Sequence, residues 1–337
     1  MTITAEHVAE YLDALAKPHG SMGRLEDLAI KLAVAQKSLH PQTKPRRIVL
    51  FAGDHGVVEN GVSAWPSGVT TVMMETILAQ KATSTALAAA HSADLRLVDV
   101  GSMQPPDKNK QTAAFSDVRV AAGTASLATG AAMTKAQFHG AWAAGEAEAK
   151  QAHKDGFVLL MAGEMGIGNT TSAACLTMLL AGAEAPIATG RGAGADEEIL
   201  SNKLDIVARA HKRADKLLAD DRVAAIAEVA GLEIAAMAGF YAQAARQGSA
   251  VLLDGYVTTA AALIAERLVP GATRNMIAAH LSAEPGHRVA LDYLGLEPLL
   301  EWQMRLGEGT GTLTALPLLD SAAALLNDVA KLSDIMP

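Results

Sequence analysis

An uninterrupted apolar run, Phe157-Val158-Leu159-Leu160-Met161, leads into Gly163-Glu164-Met165-Gly166-Ile167-Gly168-Asn169-Thr170-Thr171, and residues 172–180 that follow are apolar and rich in helix formers. An apolar run of this kind makes a strand buried on both faces. Strand, glycine loop and helix in succession point free backbone N–H groups at an anion, with the helix dipole adding partial positive charge. Gly166 and Gly168 let the backbone approach a phosphate, and Asn169 and Thr170 put polar side chains at the helix start. An ordinary strand-to-helix turn capped by Asn or Thr has the same pattern, so both readings stay open here. The loop lacks the Gly-Lys-Ser/Thr ending of a P-loop and the G-x-G-x-x-G spacing of a dinucleotide site. Glu164 needs a task of its own, because a carboxylate beside a phosphate nest is unfavourable.

Apolar periodicity extends this unit along the 337-residue chain. It predicts helices over 5–16 and around Leu25, Leu28 and Leu32, then a strand at 47–52 ending in Gly53-Asp54-His55-Gly56. A helix over 70–90, a strand at 95–100, a short strand at 118–120 inside a long loop and a helix over 135–152 follow. Beyond the central unit the pattern predicts a strand at 187–189, helices over 197–218, 222–229 and 233–246, strands at 250–254 and 275–280 around a helix at 258–268, and a final helix through Leu325. Helices alternating with strands that end in Gly or Asp imply an α/β fold, a parallel sheet covered by helices on both faces. Such sheets bind ligands at the carboxyl ends of their strands. The two chain ends are purely helical and are expected to pack as a smaller domain, residues 1–40 with 286–337, beside a larger sheet domain of residues 41–285.

The formal net charge of −8 argues against a nucleic-acid partner. The longest apolar tract, residues 223–245, is broken by Glu228 and Glu233, so no membrane span is expected. The single cysteine, Cys175, excludes an internal disulfide and suits a reducing cytoplasm; its place on an apolar helix face reads as core. The histidines form no metal set. Asp54 and His55 can serve acid–base or metal chemistry, or Asp54 can cap backbone amides at a strand end. A metal-dependent sugar-phosphate hydrolase using those two residues, or a non-catalytic nucleotide-binding module, are the competing functions. Glu308, in Arg305-Leu306-Gly307-Glu308-Gly309-Thr310-Gly311, projects from a bare backbone before a helix. It reads equally as a pocket carboxylate or as an acid favoured by the helix dipole.

Taken together, Lys17-Pro18-His19-Gly20-Ser21-Met22-Gly23-Arg24-Leu25-Glu26, Phe51-Ala52-Gly53-Asp54-His55-Gly56-Val57, Gly61-Val62-Ser63-Ala64, residues 163–171, 190–196, 233–239, 282–287 and 305–311 resemble the nicotinate-nucleotide:dimethylbenzimidazole phosphoribosyltransferase family of cobalamin nucleotide-loop assembly. The resemblance implies a Rossmann-like sheet, a cytoplasmic homodimer with shared active sites, and transfer of ribose phosphate from nicotinate mononucleotide to 5,6-dimethylbenzimidazole or a related base. It implies Glu308 as the base that takes the acceptor's ring proton and Glu164 as the carboxylate that stabilises positive charge on the ribose. Gly166, Gly168, Asn169, Thr170, Gly190, Gly192 and Lys203 then hold the nucleotide and its phosphate, and Asp54, His55, Ser63, Ser67 and Leu306 surround the base pocket. Ser67 stands where the family commonly has Gln, His19 where a second proline is usual and Ala193 where a threonine is common. The implied reaction is a single displacement with inversion and calls for no metal, cofactor or covalent nucleophile.

Overall fold

The computed structural model describes residues 3–336. Six strands form one parallel sheet: β1 (Arg46–Gly53), β2 (Asp94–Gly101), β3 (Phe115–Asp117), β4 (Leu159–Met165), β5 (Ala250–Leu253) and β6 (Met276–Ala278), in the order β3-β2-β1-β4-β5-β6. This is the doubly wound order, which reverses direction between β1 and β4 and opens a crevice there at the carboxyl ends. Register aligns Phe51 with Glu164 and Ala52 with Met165, so the strand ends carrying the Asp54 and Gly166 loops are neighbours.

Side-chain alternation sorts the sheet into two apolar faces. Val49, Phe51, Val98, Leu160, Val251 and Leu253 pack under the helices Lys135–Lys154, Asn169–Ala181, Leu232–Gln247 and Tyr256–Leu268. Ile48, Leu50, Leu97, Met161 and Leu252 pack under Val8, Leu12, Leu28 and Leu32 from the N-terminal helices and Leu313, Leu316 and Leu319 from the last long helix, Thr310–Asp328. The two chain ends therefore meet each other on one face of the sheet. No helix among the described residues is long and apolar enough to cross a membrane.

Four local expectations need correction. The helix expected over 70–90 is two helices, Gly68–Leu78 and Thr83–Ala90. Gln80 takes a left-handed φ of 59° and the Lys81 amide reaches back to the Thr76 carbonyl, closing the first helix with a residue other than the usual glycine. The short strand lies at Phe115–Asp117, paired with Leu97–Asp99, and the Val118 and Val120 amides beyond it still donate to the Asp99 and Val100 carbonyls without continuing the ladder. Residues 187–189 are no strand. Pro186 opens a helical turn, Ala185–Ala188, whose amides bond to the Glu184 carbonyl. Finally, β4 runs on through Gly163 and Glu164 to Met165, so Glu164 belongs to the strand and the loop begins at Gly166.

Candidate active site

At the carboxyl end of β4 the chain turns through Gly166, Ile167 and Gly168 into the helix Asn169–Ala181. The turn fits only glycine at two points: a Cβ on Gly166 would lie 2.4 Å from the Gly53 carbonyl oxygen, and Gly168 holds φ at 92° with Val58 against it. These residues, with Asn169, Thr170, Glu164 and Asp254, line an open cavity. Gly192, which packs against Thr170, joins Arg191 and Ser63 in the lining, and Arg305, Leu306 and Gly307 complete it. Lys203 stands behind the wall, donating from Nζ to Thr170 Oγ1 (2.8 Å) and to the Gly190 carbonyl (2.9 Å). Glu284 grips the same loop from the other side, accepting the Gly192 amide at 2.9 Å. Burial pulls the Lys203 ammonium down to about 8, partly offset by Glu284. Gly190 itself faces a second, adjoining cavity bordered by Thr189, Leu200 and Pro285.

The acidic end of the cavity is built from three chain segments. Glu164 accepts from the Asn169 side-chain amide. Burial, then the charges of Glu233 and Asp254, push its carboxyl up to about 8, with Asn169 opposing and Glu308 adding to the rise. Gly307, at φ 85°, lies flat against it: a Cβ there would meet Glu164 Oε1 at 2.1 Å. Asp254, at the end of β5, accepts the amides of Gly309 (3.2 Å), Gly311 (2.7 Å) and Thr312 (3.2 Å), capping the helix Thr310–Asp328 from outside. Glu308 is buried one residue behind the cavity wall, and its Oε2 accepts from Ser84 Oγ at 2.9 Å. Burial raises its carboxyl, the Ser84 hydrogen bond opposes that, and Asp254 adds to it. Glu164 and Glu308 are thus linked through Gly307, with Glu164 on the cavity surface and Glu308 beneath it.

Asp54 and His55 lie under the Gly166 loop. Asp54 Oδ2 accepts the Met103 amide at 2.8 Å, the capping arrangement at a strand end. His55 is fully enclosed: Nε2 lies 2.7 Å from Glu233 Oε1 and Nδ1 lies 3.1 Å from Ser172 Oγ. With both ring nitrogens engaged inside the protein, His55 has none to offer a metal or water, which removes the basis of the hydrolase reading. Ser67 starts the helix Gly68–Leu78 and is not among the residues lining the cavity, whereas Ser63 and Leu306 are.

Sequence patterns assign no role to Asp254, Glu284, Arg305, Glu233 or Ser84, although Glu233, Glu284 and Arg305 lie within the motifs that carry the family resemblance. Asp254 had a signal, since it ends a strand in a sheet that binds at strand ends. Glu284 sat in a turn that reads as merely polar, and Glu233 in a tract that reads as merely apolar. Cys175, read as core, is buried, and burial pushes its thiol up to about 12.

Comparison with known proteins matches this architecture throughout. A family model described as phosphoribosyltransferase covers residues 2–335. The nicotinate-nucleotide–dimethylbenzimidazole phosphoribosyltransferase of Pseudomonas putida W619 is 42% identical over 320 residues, 95% of this chain and 90% of the relative. The enzyme of that name from Mycobacterium marinum is 44% identical over 323 residues, 96% and 89% of the two chains. The crystal structure of CobT from Thermus thermophilus superposes with a TM-score of 0.93 at 39% identity, covering 98% of each chain. The chain therefore belongs to the phosphoribosyltransferase family that these enzymes represent.

Proposed function

We propose that this enzyme transfers the ribose 5-phosphate of nicotinate mononucleotide to 5,6-dimethylbenzimidazole or a related base, giving the α-riboside phosphate and nicotinate. The observation that carries the reading is the contact of Gly307 with Glu164. It joins the Glu308 loop to a cavity that is also lined by the glycine turn at a helix start. The phosphate sits at the glycine turn on the amides of Gly168 and Thr170, since those of Ile167 and Asn169 already donate to Thr70 Oγ1 and the Gly166 carbonyl; Gly166, Asn169, Gly190, Gly192 and Lys203 complete the cradle. Glu308 takes the ring N–H proton of the acceptor as its other nitrogen attacks C1′. The bonding pair between C1′ and the pyridinium nitrogen returns to the ring, so nicotinate leaves with a neutral ring and needs no acid. Glu164, its carboxyl raised to about 8 in the empty site, ionises beside the pyridinium ring of the substrate and faces the positive charge developing on the ribose. Asp54 and His55 shape the floor, Ser63 and Leu306 lie toward the acceptor, and Ser67 acts on that side only through the helix it starts.

The enzyme works in the cytoplasm as a homodimer, and the helical domain made by residues 1–40 and 286–337 helps close the neighbouring subunit's site. Support for the dimer comes from Trp302 and Leu306, large apolar side chains 63% and 55% exposed on the segment that leads to Glu308, with Leu306 lining the cavity. Incubation with nicotinate mononucleotide and a panel of azole, purine and phenolic bases tests the function, with products identified by mass. A riboside phosphate of a benzimidazole is expected; no transfer to any base overturns the reading. Lys203 adds a pH signature. It is cationic below about 8 and loses its charge above, so nicotinate mononucleotide affinity should fall as pH rises through that value. Calorimetry showing unchanged affinity across it would take Lys203 out of phosphate binding.

A further inference from the structure

Glu308 occupies an unusual backbone position: it has φ 56° between Gly307 at 85° and Gly309 at 69°. An L-residue enters this region only when its surroundings hold it there. Asp254 holds the backbone that follows, through the three amides at the start of the last long helix. The side chain is held by Ser84, which belongs to a helix more than two hundred residues earlier in the chain.

Ser84 does no other visible work. The N-cap of its helix is Ala82, and the Ser84 side chain caps none of the helix amides. Thr85, next to it, bonds back to the Ala82 carbonyl in the ordinary way, while Ser84 Oγ reaches out to Glu308. Ser84 is completely buried, packed in a region that also holds Ile77, Leu78, Ala82 and Ala88. Alanine would suit such a place equally well unless the hydroxyl had a partner. Its backbone N–H also faces the Glu308 carboxylate, so the acid sits on the N-terminal turn of Thr83–Ala90. That turn is where it is because the preceding helix breaks at Gln80.

We infer that Ser84 is the positioning residue of Glu308: it fixes one carboxylate oxygen on the helix start and leaves the other free to receive the ring proton of the acceptor. The inference rests on the reading of Glu308 as general base and specifies what aims it. The titratable and charged groups facing the Glu308 loop are Asp254 from the end of β5, Glu164 from the end of β4, His280 from beyond β6 and Arg305 on the loop itself. Ser84 is the donor among these contacts that favours the ionised carboxylate. Without it, Glu308 holds its proton to higher pH and turns more freely.

Ser84→Ala should lower kcat by about ten- to a hundredfold, the scale of a lost hydrogen bond to a charged group. KM for nicotinate mononucleotide should be unchanged, because the phosphate cradle is untouched. The acid limb of the pH–rate profile should move to higher pH, and Ser84→Thr, which keeps the hydroxyl, should return it toward the wild-type position. Thermal denaturation and nucleotide binding check that both variants are folded. A Ser84→Ala enzyme with wild-type kcat and an unmoved acid limb, beside an inactive Glu308→Gln enzyme, overturns the inference while leaving the base in place. Full activity of Glu308→Gln is a different failure, since it removes the base itself.

Discussion

Glu308→Gln should turn over about 10²–10⁴-fold more slowly than the wild type, the range for loss of a general base, and should bind nicotinate mononucleotide as well as before. Glutamine keeps the length of the side chain and can still accept from Ser84 Oγ, so the loop and its capping by Asp254 persist. What disappears is the site for the acceptor's ring proton. The attacking base would then carry full positive charge as the new bond forms, because Glu164, facing the ribose, is not placed to take its ring proton. Pre-steady-state kinetics should show nucleotide binding intact and the transfer step slowed. A variant with wild-type turnover would remove Glu308 from the chemistry.

The second large effect is on stability. Glu233→Ala should destabilise the fold by roughly 3–5 kcal/mol, the cost of leaving one member of a buried charged pair without its partner. His55, Glu233 and Ser172 come from three elements: the loop after β1, the first turn of Leu232–Gln247 and the first turns of Asn169–Ala181. Together they tie the floor of the cavity at the point where the sheet reverses direction. The space is tight enough that a Cβ on Gly231 would meet His55 Cε1 at 2.4 Å and Glu233 Oε2 at 2.5 Å. Burial works to lower the His55 imidazolium, but Glu233 and then Asp54 outweigh it, so the folded value lies above the ordinary one. A group raised on folding contributes stability that is complete below its unfolded pKa and fades as pH rises through the folded one. Urea denaturation should therefore show the largest gap between wild type and Glu233→Ala on the acid side of the histidine range, narrowing in alkali. A gap that widened with pH would mean that the pair is not held as an ion pair.

Much of the fold is legible in the chain itself. Apolar runs ending in Gly or Asp mark β1, β2, β4 and β5, because strands buried on both faces leave no polar alternation to confuse them. Glu164, beside the glycine loop at 166–168, stands out as a carboxylate whose local setting is costly without a use, whereas Glu308 reads equally as an acid favoured by the helix dipole until the family resemblance singles it out. Other parts leave no local trace. Gln80 closes a helix in a conformation usually given to glycine, so nothing announces the break between Gly68–Leu78 and Thr83–Ala90. Ser84 is invisible for the same reason, since its partner is 224 positions away and a buried serine in an alanine-rich helix resembles filler. Residues 187–189 mislead because Pro186 favours a helix start as readily as it bounds a strand. Glu233 looks like a polar interruption of an apolar tract, and only the fold brings it to His55.

The proposed chemistry turns on one direct transfer of the ribosyl phosphate, with the acceptor and the departing nicotinate on opposite faces of C1′. The anomeric configuration of the riboside phosphate, read by NMR of the C1′ proton in product made by the wild-type enzyme from nicotinate mononucleotide and 5,6-dimethylbenzimidazole, tests this most directly. A single α anomer is the predicted result. A β product would require a covalent ribosyl intermediate or a second displacement, for which Glu164 and Glu308 in their assigned roles make no provision.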